Sequence, residues 1–491
     1  MREEGAGSAV GSHVSSEREP ARRCRKGSFD EIDDPSTIGH QVQDDHQVPD
    51  LEEAKADTQS LLTQDYKPND HPDRYPGHMP VFLVCLMASY SVASFTYIIP
   101  VSIEFAEYLG QTQFWAGFAI SMACYFSGLL GPPYYLLVQK VGLKNGMLVC
   151  CGFFFVGLFL YILSCPVHSF GLLVVARCVV GIGGQLTMYW YSARAVGINR
   201  RTEVNQYINA SLASGYSIGP YIASVFYSIT KNHITPNDSK IGFEYDSLWW
   251  NRVTSPAWFI LILVVVTALL LWFYLEEPEK ETQEVLNEQV GGETPLRGII
   301  KMSHTEKVAF GFNLCASFTL PIIISAWEVF SVNQATQTWG WAPEIAGVYV
   351  GTVFLFLVPA CIIVARVASK LSDRDGQLYF TSLATVSFLF LWDWFPAQDG
   401  TGVIILYTVG SMLTLTGFQV ARGFCWSLLS KQVPTHSKGV GNMLMFMFYI
   451  FGRGSGSLIA DLYKTDAQSK TTDYSDKGFT AWSPQNTYAW S

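Results

Sequence analysis

Charge is the scarce commodity in this chain. Asp, Glu, Lys and Arg make up 15% of its 491 residues, where an ordinary soluble domain carries about 25%. With 49% of residues hydrophobic, that shortage excludes a globule clad in charged side chains. Several other things are missing. The ten cysteines supply no disulfide framework, because most of them (Cys85, Cys124, Cys150, Cys151, Cys178, Cys315, Cys361, Cys425) sit inside apolar blocks and read as small buried hydrophobes. No secretory signal opens the chain, since a polar and charged tail precedes the first apolar stretch. His168, His233, His304 and His436 are scattered without metal-ligand spacing. No glycine-rich phosphate cradle follows a strand, and no nucleophile motif occurs. The sequence therefore predicts no enzyme, no metal, no cofactor and no nucleic-acid partner.

What is present is a series of apolar blocks long enough to cross a membrane, which takes about 20 residues. They fall near 81–103, 114–138, 146–164, 170–193, 206–229, 256–275, 307–330, 344–367, 378–396, 402–424 and 439–462. The expectation is an all-α membrane protein of eleven spans. It divides into a cytosolic tail at 1–78 carrying a sorting signal, a six-helix bundle at 79–275, a linker at 276–306, a five-span bundle at 307–463 and a polar tail at 464–491. A twelfth span would complete two six-helix halves, and the chain turns polar where it should stand. The second, fourth, eighth and tenth loops carry Lys140, Lys144, Arg200, Arg201, Lys370, Arg374, Lys431 and Lys438, while the first, third, seventh and ninth carry no Lys or Arg. Basic loops face the cytosol, so the N-terminus is expected there.

The halves look duplicated. Gln139-Lys140-Val141-Gly142-Leu143-Lys144 and Asp373-Arg374-Asp375-Gly376 each join two apolar blocks, about 234 residues apart. A cation and a glycine between spans, once per half, point to an internally repeated transporter. Lys140, Gly142, Asp373, Arg374 and Gly376 are read as a latch for one conformation. Gly215-x-x-x-Gly219 and Gly452-x-x-x-Gly456 recur at an offset of about 237 residues, and small residues four apart let helix backbones approach closely in lipid. Pro220 removes a backbone donor, so Gly215, Gly219 and Pro220 are read as a helix hinge.

Charges inside spans are expensive and point to function or to internal pairing. Arg177, Arg422 and Arg453 are the buried cations, with Arg422 close enough to a helix end to snorkel. Glu104, Glu328 and Asp393 are the carboxylates. Paired, they are helix-to-helix locks; unpaired, they form a translocation site. Arg453 shares its stretch with no acid, so it is expected to be an unpaired cation that meets a permeating anion. In the tail, Asp57-x-x-x-Leu61-Leu62 has the form of an acidic dileucine signal read by clathrin adaptors. Asn237-Asp238-Ser239 is a glycosylation sequon, and the sequon at Asn209 lies inside a span and is discounted.

The paired loops resemble the signature of the major facilitator superfamily. Tyr135 and Ser369 stand where that signature has its leading glycine, and Gln139 replaces its acid. A narrower stretch, Ala176-Arg177-x-x-x-Gly181-Ile-Gly183 followed by Tyr191-Ser-Ala, Arg201-Thr202, Asn205 and Gly215-x-x-x-Gly219-Pro220, resembles the lysosomal facilitators linked to neuronal ceroid lipofuscinosis. Leu429-Ser430-Lys431, Lys438-Gly439-Val440 and Gly452-Arg453 extend that resemblance, and Ser457 departs from it by replacing proline. The resemblance implies an endolysosomal or vacuolar membrane protein that moves a small, anionic solute by alternating access. An anion channel on the same bundle and a non-transporting scaffold are the alternatives; in each, the partners are lipid, a solute or anion, and the sorting adaptor.

Overall fold

The computed structural model describes residues 73–182, 186–231, 249–277, 299–391, 401–433 and 437–476, and in these it contains helices and no strand. The expected sorting signal (Asp57, Leu61, Leu62), the sequon at Asn237, the carboxylate Asp393 and most of the 276–306 linker lie outside them. The first half runs α1 His78–Thr96, α2 Ser102–Tyr108, α3 Gln113–Leu129, α4 Gly131–Val141, α5 Leu143–Ser164, α6 Phe170–Ile182, α7 Leu186–Ala195, α8 Arg201–Lys231 and α9 Ser255–Tyr274. The second runs α10 His304–Asn333, α11 Pro343–Val367, α12 Asp373–Phe388, α13 Thr401–Gln432 and α14 Lys438–Asp476.

Several boundaries follow from where proline, which lacks a backbone donor, does or does not fall. The expected first span continues through α2 to Tyr108, interrupted by a 3-10 turn at Ile99–Val101 where Pro100 cannot donate. Pro132 and Pro133 open α4, so α3 and α4 meet at a 52° bend instead of forming one straight span. The last helix was expected to end near 462 and runs on to Asp476, because no Gly or Pro follows Ser457 in that stretch to break it. Pro220 lies inside α8 without ending it; that helix is continuous for 31 residues.

Among the described residues, eight helices are long and apolar enough to span a membrane, or nine with the bent pair. The expected eleven included α8 and α12. α12 has only 16 residues, and α8 carries Asn205, Gln206, Asn209 and a series of serines along its length. Both pack among apolar neighbours all the same: α12 lies on α13, and α8 on α1 and α11. The outer faces are hydrophobic, as Phe259, Ile262, Trp272 and Phe273 of α9 illustrate by being exposed. Such a surface suits lipid and not water.

The internal repeat is visible in helix packing. A Cβ on Gly215 would lie 2.2 Å from the Ser89 carbonyl oxygen, and one on Gly219 would lie 2.1 Å from Thr96 Oγ1. Both glycines thus seat α8 against α1. In the second half Gly452 and Gly456 meet the carbonyl oxygens of Phe318 and Ile322 at 2.1 and 2.3 Å in the same sense, seating α14 against α10. The two Gly-x-x-x-Gly motifs are equivalent contact faces, one per half. The halves then meet through α8 on α11 and α14 on α3.

Candidate functional site

Three polar layers cross the bundle: one at the end carrying the basic loops, one at its middle and one at the opposite end. At the basic-loop end, Gly142 adopts φ 93° between α4 and α5, a left-handed turn that a Cβ would strain. The turn leaves the first amides of α5 free to donate to Glu277, Leu143 N at 2.5 Å and Lys144 N at 2.7 Å. A carboxylate at a helix N-terminus is favourably placed. Lys144 Nζ reaches the Trp272 carbonyl at 2.9 Å, so the loop is tied to the end of α9. The expected latch cations Lys140 and Arg374 are exposed.

Of the residues expected to form a latch, Asp373 gathers bonds at this end. Its Oδ1 accepts from Thr202 of α8 at 2.8 Å, and its Oδ2 pairs with Lys431 of α13 at 2.7 Å and accepts from Ser427 at 3.1 Å. Arg201 Nη1 donates to the Ser430 carbonyl at 3.3 Å. Thr202 and Arg201 belong to the first half and the rest to the second, so this end is closed by bonds between halves. Gly376 lets α12 press onto the Phe424 ring of α13, 2.6 Å from where its Cβ would sit. The first-half loop has no equivalent carboxylate: Gln139 donates to the Tyr135 hydroxyl at 2.7 Å instead.

In the middle, the three buried arginines have different fates. Arg177 donates to the main-chain carbonyls of Ser94 and Phe95 at 2.9 and 3.2 Å. These are carbonyls of α1's last turn, where the 3-10 interruption leaves oxygens to be satisfied. Arg177 therefore holds a helix end together inside the first half. Arg453 was expected to be unpaired. It pairs instead with Glu328 of α10 at 3.0 Å, both groups buried, because the Gly452/Gly456 face brings α14 against α10. A search along one helix could not see that partner. Its guanidinium also stacks 4.4 Å from the Tyr216 ring centre, across the boundary between halves.

Arg422 does not snorkel. It is 1% exposed, and its Nε and Nη2 donate to Asn209 Oδ1 of α8 at 3.1 and 2.8 Å, while Nη1 donates to the Tyr449 hydroxyl at 2.8 Å. The Tyr449 and Tyr216 hydroxyls lie 2.9 Å apart, and Tyr189 donates to the same Asn209 oxygen at 3.1 Å. No carboxylate pairs with Arg422 among the described residues; its neighbours are neutral and come from both halves. Asn209, Tyr216, Tyr449, Gln206 and Gln419 carry this layer and escaped the sequence reading. Their signal was present as polar residues in otherwise apolar blocks, and Asn209 was set aside as a spurious sequon.

At the opposite end, Glu104 of α2 forms an ion pair with Arg252, whose Nη1 also donates to the Tyr227 hydroxyl at 3.2 Å. Glu104 lines a cavity of about 220 Å³ with Tyr227, Asn333, Thr336 and Pro343. The walls belong to both halves. Glu104 is thus paired with Arg252 beside this cavity and not with an arginine of the middle layer. Among the described residues no cluster of His, Cys, Asp and Glu could hold a metal ion.

The Major Facilitator Superfamily model matches residues 81–457. An uncharacterised MFS-type transporter of Schizosaccharomyces pombe is 21% identical over 324 residues, covering 63% of this chain and 61% of the relative. The chain therefore spans about six-tenths of that protein's length. A second uncharacterised protein of the same yeast is 22% identical over 419 residues, covering 82% and 80%. Among solved structures, the human organic anion transporter MFSD10 superposes with a TM-score of 0.59 at 15% identity, covering 81% of this chain and 96% of its own. A bacterial homologue of the human lysosomal transporter Spinster, solved inward-facing and occupied, gives 0.55 at 13%, covering 81% and 84%. At these identities the structural likenesses carry the fold alone.

The Glu328–Arg453 pair makes a stability prediction. Glu328→Ala leaves a buried guanidinium without its carboxylate, which typically costs about 3–5 kcal/mol, whereas replacing both partners by apolar residues is often neutral. Glu328→Ala is expected to lower the thermal unfolding temperature of the purified protein sharply. Glu328→Leu combined with Arg453→Met should recover most of the loss. A double variant no better than the single one would show that the pair is not one interaction.

Proposed function

This chain belongs to the major facilitator superfamily, and on that premise we propose that it carries a small anion across an endolysosomal membrane by alternating access. The observation that carries the reading is Arg422, a buried cation with only neutral partners, one of them from the opposite half. A charge at the centre of a membrane needs compensation. When the halves rock apart, Asn209 Oδ1 moves away from the guanidinium, and an anion is the ligand best suited to take its place. Arg453 Nη1 lacks a hydrogen-bond partner in the same layer and offers a second donor. The Asp373 latch closes the basic-loop end in this state, and the cavity beside Glu104 marks the route from the other end. The solved structure of an organic anion transporter with this fold supports the reading.

The test is flux into liposomes containing the purified protein, with chloride, phosphate and small carboxylates compared. Arg422→Ala is expected to reduce anion flux at least about tenfold, since a charge-assisted hydrogen bond contributes about 1.5–3 kcal/mol. Arg422→Lys should keep part of the activity if charge suffices. Wild-type flux in the alanine variant would return Arg422 to a packing role.

The location rests on Asp57, Leu61 and Leu62 and on the lysosomal-facilitator resemblance of the 176–220 region. Replacing Leu61 and Leu62 together by alanine should send the protein to the cell surface with its unfolding temperature unchanged. Retention in endolysosomes would mean that another segment sorts it.

A further inference from the structure

We infer that the solute is a hydroxylated monocarboxylate, selected by Gln206 and Gln419 beside Arg422. This rests on the anion reading above and adds valence and chemistry to it.

Valence follows from a charge balance. Arg177 is held inside the first half by the Ser94 and Phe95 carbonyls, and the side chains that meet across the boundary include two guanidinium groups, Arg422 and Arg453, and one carboxylate, Glu328, all buried. One positive charge is left over, since the Arg453–Glu328 pair is self-neutralising. A monoanion cancels it. A dianion would leave a surplus negative charge in a dry site, and a zwitterion would leave the positive charge standing.

The hydroxyl requirement follows from unspent acceptors. Gln206 lies one helical turn before Asn209 on α8, and Gln419 one turn before Arg422 on α13, so both flank the guanidinium. Both are fully buried. Gln206 Nε2 donates to the Val420 carbonyl at 3.1 Å, and Gln419 Nε2 donates to the Asn209 carbonyl at 2.8 Å. A carbonyl only accepts, so each amide nitrogen is fixed in place and each Oε1 is committed to point elsewhere. Neither Oε1 has a donor. In the same layer Asn209 Nδ2 and Arg453 Nη1 are donors without acceptors. The empty site thus presents one excess positive charge, spare donors for a carboxylate and spare acceptors for hydroxyl groups. A halide satisfies the charge and leaves the acceptors unpaired. An alkyl carboxylate satisfies the donors and buries methylenes against two amide oxygens. A hydroxylated monocarboxylate satisfies all three demands. α8 and α13 press together at Gly423, 2.4 Å from Asn209 Nδ2 where its Cβ would sit, so the solute enters only when the rocking of the halves parts these two helices.

The test is equilibrium binding to the purified full chain with four probes: gluconate, hexanoate, glucarate and chloride. Gluconate and hexanoate match in carbon count and charge and differ in hydroxyls; glucarate keeps the hydroxyls and adds a second charge. Gluconate is expected to bind at least about tenfold tighter than either organic competitor, because a site built to hydrogen-bond a hydroxyl rejects the analogue lacking it. Gln206→Leu and Gln419→Leu should each weaken gluconate at least about tenfold relative to hexanoate. Equal binding of gluconate and hexanoate, or a glucarate preference, would overturn the inference while leaving an anion carrier intact. Binding of chloride alone would do the same. If no anion binds and Arg422→Ala changes nothing, the anion reading itself fails, and this one with it. The ranking of the four probes on the unmodified protein decides the matter even where a variant does not fold.

Discussion

A buried charge held by neutral partners from both halves organises this protein. Arg422 sits where the two halves meet, and its guanidinium is held by an amide oxygen from one half and a phenol from the other. Neutral partners stabilise such a group less than a carboxylate would, yet they can be exchanged without stranding a second charge. That is the property a moving interface needs. By contrast the Arg453–Glu328 pair lies wholly within the second half, and Arg177 is bonded wholly within the first. In the middle layer, then, Arg422 is the arginine hydrogen-bonded across the boundary, as Asp373 and Arg201 are at the basic-loop end.

The two ends of the bundle are built differently around that centre. At the basic-loop end, Asp373 gathers Thr202, Ser427 and Lys431 into a small network that ties α8 to α12 and α13. At the other end the ion pair between Glu104 and Arg252 stays within the first half and borders a cavity whose far wall is in the second. Of the two ends, the basic-loop end is thus the one joined by the Asp373 network, while open volume lies at both: about 220 Å³ beside Glu104 and about 340 Å³ beside Thr202 and Arg366. The duplicated glycine faces supply the stiffness that the proposed rocking requires, with backbone packed on backbone at Gly215, Gly219, Gly452 and Gly456.

Much of the fold was legible in the sequence because it is written in one-dimensional patterns. Apolar block length, glycine spacing and the repeated loops are properties of contiguous residues, and they led to the right fold class and to the right contact faces. Counting spans was less secure, since α8 is polar along the side that meets the second half and so reads weakly by hydropathy. The site was harder for the same physical reason. Arg453 looked unpaired because its carboxylate is on another helix, and Arg422 looked able to snorkel because nothing local showed Asn209 across from it. The loops expected to form a latch were legible, yet the partners of Asp373, Thr202 and Lys431, lie on α8 and α13 and are brought to it only by tertiary packing. Asn209 was visible as a polar residue in an apolar block and was misjudged for matching an irrelevant motif.

The central claim is that the site moves with one net positive charge and that the solute cancels it. The most direct measurement is anion exchange in liposomes clamped at different membrane potentials by potassium and valinomycin, with equal anion concentrations on both sides. A loaded carrier that is electrically neutral at its site should exchange labelled for unlabelled anion at a rate independent of potential. Net uptake, which requires the empty and charged site to return, should change steeply with potential. Exchange as sensitive to potential as net uptake would contradict the account, because the charge would then be crossing with the anion and not with Arg422.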